Sequence, residues 1–229
     1  MSEVTEKIRS KGHWEVTIRP EPFEEDRLGY GELDEILMRS AVRMRGWPVP
    51  FIDHREPLLR GEAWVGQDID AEMVSHHEAW RYFTSGQFTQ LRAISADWRE
   101  GQEAARVPEG FNAVIEVWEI LFYLTEVFEL ATRLALKEAD AEQVTIAARL
   151  NGMQNRGLIV ADDRRASFFE PYRYGRECLE SSVTLSRDQL VAESRGQAVE
   201  MSRHFFLRSG WKPTVDLLAE YQRELTERT

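Results

Sequence analysis

Between residues 111 and 138 apolar side chains recur at helical spacing and cover well over half of a helix circumference. A helix with so little polar face belongs at the centre of a core, and the remaining elements must pack around it. It does not read as a membrane span, because 114–136 is interrupted by Glu116, Glu119, Glu126, Glu129 and Arg133. The chain has 229 residues, enough to bury a sizeable core without disulfides or a metal.

The flanking segments supply strands and further helices. Residues 14–19 alternate apolar and polar, the period of a half-buried strand, and Pro20 and Pro22 are expected to end it. Leu33, Ile36, Leu37, Ala41 and Met44 form one helical stripe, with Gly46 as its left-handed cap and Pro48 as a stop. Residues 47–70 read as irregular, with short extended pieces. Residues 71–83 read as a helix, with a strand starting at Trp80 as the competing assignment. Residues 88–94 read as a strand.

Further on, 143–150 and 157–160 read as strands around the turn dipeptide Asn151-Gly152. Shorter strands are expected at 168–174 and 182–185. Ser186 with Gln189 makes a capping box for a helix running to Arg208, and Lys212-Pro213 opens a last helix. Strands and helices do not alternate strictly, so the class is α+β: a mixed or antiparallel sheet packed on a long central helix, with two C-terminal helices. Residues 1–12 read as a flexible lead-in. The rest, 13–229, reads as a single domain, or alternatively as two lobes at 13–96 and 111–229 with the polar segment 97–110 as the candidate linker.

Composition bears on partners. The formal net charge is −11, which opposes direct non-specific contact with nucleic acid or an anionic membrane. The single cysteine, Cys178, suits a reducing compartment, and the polar N-terminus lacks a signal-peptide apolar stretch, so a cytoplasmic location is expected. The phosphate-loop, dinucleotide, zinc-protease and nucleophile-elbow signatures are missing, and no cofactor is expected.

Three constellations remain. Asp53, His54, His76, His77 and Glu78 carry ligand types suited to zinc, iron or manganese; the bland alternative is surface histidines near a turn. On the long helix, Glu116, Glu119, Glu126 and Glu129 share one side with Ile115, Phe122 and Leu130, which reads as a solvated face, an interface or an acid–base site. The third is arginine-rich. Arg149, Arg156, Arg164, Arg165, Arg173 and Arg176 outnumber Asp162, Asp163 and Glu170, with Phe168, Phe169, Tyr172 and Tyr174 among them. Arginine beside aromatics suits a protein partner or a phosphate, or forms local ion pairs.

Residues 14–20 (WEVTIRP), 42–48 (VRMRGWP), 64–67 (WVGQ), 80–88 (WRYFTSGQF) and 129–134 (ELATRL) resemble segments of a family of uncharacterised bacterial proteins. In that family a similar region stands alone or accompanies an Alba/Schlafen-like domain of DNA-binding type. The resemblance implies an accessory module of a bacterial nucleic-acid-linked or defence-type assembly, with any DNA contact made through a partner chain. The expectation is a non-catalytic interaction or scaffold subunit, with a protein partner or a homo-oligomer and no membrane. The alternatives are a metal-dependent hydrolase or nuclease, and a small-molecule sensor with its ligand at 97–110.

Overall fold

A computed structural model of the chain describes residues 2–101, 104–137, 141–161 and 166–227. The apolar run forms α3 (Val117–Lys137), and a short strand, β6 (Ala113–Glu116), leads into it. Ile120, Leu121, Leu124, Val127, Phe128 and Ala131 are all fully buried, as a helix apolar on most sides requires.

The alternating segment is β1 (His13–Glu21), and it lies in the middle of the main sheet. It pairs antiparallel with β5 (Phe88–Ala93) on one side and with β7 (Gln143–Asn151) on the other. The strand runs on through Pro20, which was expected to end it. β5 stops opposite Ile18, so Pro20 is paired with β7 alone, where a missing N–H is tolerated. Beyond β5 come β4 (His76–Phe83), β3 (Trp64–Ala71) and the short β2 (Leu59–Arg60). Beyond β7 lies β10 (Cys178–Ser186), which completes seven strands, all antiparallel. A three-stranded sheet joins β6, β8 (Arg156–Ile159) and β9 (Tyr172–Arg173), with β6 and β8 parallel.

One face of the main sheet carries the core. Trp14 meets Tyr123 of α3 at 5.2 Å and Phe205 of α4 (Arg187–Ser209) edge-on at 5.6 Å. α4 begins at the expected capping box, Ser186 with Gln189, and stops at Gly210, whose φ of 95° is left-handed. α5 (Val215–Glu227) packs against α4 and α3. The α+β class, with its antiparallel sheet, long central helix and two C-terminal helices, is therefore the observed architecture.

Four expectations need correction. The N-terminal lead-in contains α1 (Glu3–Arg9), capped by Ser2, with Ile8 fully buried against Ala79 and Ala93 on the outer sheet face. Residues 71–83 are not helical: β4 starts at His76, and both of its faces are covered, so its burial lacks the simple alternation that marks a strand. α2 (Leu33–Ser40) stops before Ala41, whose carbonyl accepts a 2.8 Å hydrogen bond from Arg133 of α3. Residues 42–49 then double back through a Val42–Val49 bridge, and Gly46 serves this turn, not a helix cap. Lastly, segment 97–110 does not divide the chain into independent sheets, because strands from 13–96 and from 111–229 meet at the β1–β7 pairing. Among the described residues no helix is long and apolar enough to cross a membrane.

Candidate functional site

The fold brings polar side chains together where the 42–49 turn lies over α3 and the inner face of β4 and β5. Side chains alternate along a strand, so His76 and Glu78 of β4 point inward, as do Gln90 and Arg92 of β5. Glu78 and Arg92 are cross-strand partners. α3 contributes Tyr123 and Glu126 from adjacent turns. The turn itself hangs Arg45 over Glu126 and Trp47 over His76.

Each buried carboxylate has a protein partner at both of its oxygens. Glu126, fully buried, accepts from Arg45 through Nε at 3.1 Å and Nη2 at 2.5 Å. Glu78, also fully buried, accepts from the Phe51 backbone N–H at 2.7 Å and pairs with His76 Nε2 at 2.9 Å. Burial opposes the Arg45 charge, but Glu126 outweighs it and holds the group above its ordinary value. Burial also lifts the Tyr123 phenol well above its usual range, so it stays protonated and donates to Gln90 Oε1 at 2.9 Å. Trp47 lies nearly parallel to the His76 ring, 5.8 Å away and 24° off. Together these groups border a cavity of about 220 Å³ that reaches Arg45, Trp47, His76, Arg92, Ser95 and Arg99.

The metal expectation does not survive this geometry. His76 and Glu78 share the inner face, whereas His77 projects from the outer face, where its Nδ1 bonds Asp70 at 2.7 Å and its ring lies 4.4 Å from Trp98. Asp53 is tied to Arg55 by side-chain and backbone hydrogen bonds that hold its carboxyl at about 2. His54, next to it, is exposed. Among the described residues no three His, Cys, Asp or Glu side chains are grouped to hold a metal ion.

The expected interaction residues are also dispersed. Ile115 and Leu130 are core residues with no exposed surface, so neither is available for docking. Phe122 is partly buried, 5.5 Å from Trp118. Arg173 lies 4.0 Å over the Phe111 ring and donates to the Gly110 carbonyl at 2.8 Å, while Arg176 is exposed. Arg164 and Arg165 lie outside the described residues. Arg156 is buried and bidentate to Asp97, with both bonds at 2.6 Å. That pair borders a wider cavity of about 750 Å³ near Lys11, His13 and Arg99.

Arg45, Gln90, Arg92 and Tyr123 were not singled out by sequence. One signal was present: Phe88, Gln90 and Arg92 alternate on the strand at 88–94, so two inward positions are polar where apolar residues are expected. Comparison with family models, curated proteins and solved structures gives no match. The arrangement gathers three arginines around one small cavity. It also contains one imidazole–carboxylate pair beside a cavity.

Proposed function

We propose that this chain is a non-catalytic interaction subunit of a larger assembly, and that it docks through the mouth of the Arg45–Trp47 cavity. The observation carrying this reading is the composition of the rim. Trp47 is 46 % exposed and Val74 51 %, Arg99 lines the same cavity with a side chain 38 % exposed, and Met73, next to Val74 in the chain, is fully exposed. Trp, Met and Arg are the side chains enriched where proteins meet. The buried carboxylates behind the rim are occupied by protein donors, an arrangement that holds shape and does not exchange protons with a substrate. The resemblance of the 42–48 and 80–88 segments to a family of uncharacterised bacterial proteins points the same way and suggests an accessory role in a nucleic-acid-linked or defence-type assembly.

Light scattering and affinity capture from the native host test this. A stable complex or self-association that is lost in Trp47→Ala and Met73→Asp is expected. A strictly monomeric chain that captures no specific partner would rule the reading out.

A second reading has its own observation. Glu78 orients His76 as a buried carboxylate orients a catalytic imidazole, and His76 borders the cavity. On this reading the chain is a hydrolase or nuclease with His76 as general base. Turnover of phosphodiester or nucleotide substrates that disappears in His76→Ala would support it; turnover unchanged by that substitution would dismiss it.

A further inference from the structure

We infer that the Arg45–Arg92–Arg99 cavity is a binding site for a nucleotide, which seats its phosphoryl group on Arg92 and lays its base against Trp47. This does not depend on the docking reading.

The starting point is Arg92. Its guanidinium lies 4.6 Å from the Tyr123 ring and is only partly buried. Its cross-strand neighbour Glu78 is spent on Phe51 and His76. Among the described residues the Arg92 side chain makes no hydrogen bond or ion pair. A guanidinium carries five N–H donors, and a half-buried one with none of them used is a site prepared for an external acceptor. Because β5 is an interior strand and Tyr123 is held by Gln90, the group is fixed in place before any ligand arrives.

Two more cations flank it. Arg45 uses Nε and Nη2 on Glu126, leaving Nη1 without a bond among the described residues. Arg99 makes long contacts with Glu116 Oε1 at 3.3 Å and Ser95 Oγ at 3.4 Å, which a stronger acceptor can displace. Three arginines thus line the cavity; Arg45 is paired with Glu126 and Arg99 more loosely with Glu116, so among the described residues Arg92 is the cation left to meet a phosphoryl group. Size decides how much of the ligand enters. About 220 Å³ is below the range of roughly 300–1,000 Å³ usual for whole small-molecule ligands, so only the phosphoryl end fits inside. The remainder must lie at the mouth, where the half-exposed Trp47 indole offers a stacking surface.

Calorimetric titration of the full-length protein with inorganic phosphate, AMP and adenosine tests the site. Phosphate is expected to bind weakly, AMP more tightly, and adenosine not measurably. Arg92→Gln is expected to weaken AMP and phosphate by about tenfold or more, as loss of charged hydrogen bonds does. Trp47→Ala is expected to weaken AMP by about tenfold while leaving phosphate unchanged. If Arg92→Gln fails to fold, Arg99→Ala serves in its place and is expected to weaken both ligands. Absence of phosphate and AMP binding at millimolar concentration overturns the inference. So does equal affinity for AMP and phosphate, or unaltered binding in the arginine variants. Much tighter binding of a 5′-phosphorylated oligonucleotide than of AMP would replace the nucleotide by a nucleic-acid end. Assembly lost in Met73→Asp with AMP binding intact would show the docking surface and this pocket to be separate.

Discussion

Arg45 and Glu126 show how one residue's role depends on where a turn places it. From spacing, Glu126 belongs to an acidic stripe and Arg45 to the end of a helix. Nothing local indicates that the chain leaves α2 at Ser40 and swings Arg45 across to α3. That contact is long-range and thus invisible to periodicity. Glu126 is buried and Arg45 reaches it from the surface with a side chain 28 % exposed, so Arg45→Met strands a buried carboxylate and is expected to cost about 1–3 kcal/mol of stability, and Arg45→Met with Glu126→Leu much less. Urea denaturation of the single and double variants checks this; equal losses in both would refute the pairing. His77 gives a pH prediction. Burial is the main influence on its imidazole and lowers its proton affinity below the ordinary 6.5. The unfolded chain then takes up this proton first as pH falls, so the contribution of His77 is complete above about 6.5 and declines below it. Asp70 adds a second loss below its ordinary 3.8: burial raises its carboxyl, but hydrogen bonds from Lys7 and His77 outweigh burial and lower it. Stability measured from pH 7 to 5 is expected to fall less steeply in His77→Leu than in the parent chain.

Elements with local signals were legible and elements defined by their neighbours were not. α4 could be read to within a residue because its capping box and its terminal glycine are local signals that sit directly at the two ends of the helix. α3 announced itself by its apolar circumference. β4 failed because His76, Glu78 and Trp80 face the core while His77 and Ala79 lie under α1 and Trp98, so no polar face marks the period. β3 was hidden in a segment rich in proline and glycine. Gly66 explains some of that composition: a Cβ there would sit 2.3 Å from the Trp80 carbonyl oxygen and 2.5 Å from Arg81 Cδ. Gly66→Ala is expected to force β3 away from β4 and to cost about 1–3 kcal/mol, read as a lower melting temperature. An unchanged melting temperature would mean the strands tolerate that separation.

At the scale of the whole molecule, the apparent linker at 97–110 misleads because polarity marks exposure, not independence. Val114 and Ile115 just beyond it belong to the same core cluster as Trp14, Val16 and Phe88 before it. Cleavage between 99 and 110 is therefore expected to leave two fragments that stay associated under native conditions and separate in denaturant. Gel filtration after limited proteolysis reports this, and fragments that elute apart as folded species would restore the two-lobe view.

The central position of β1 also has a consequence for biosynthesis. β1 keeps one edge open during synthesis until residues 143–151 follow, some 120 residues later. During translation that bare edge is a template for mispairing, and chaperone contact or aggregation of prematurely terminated chains should concentrate there.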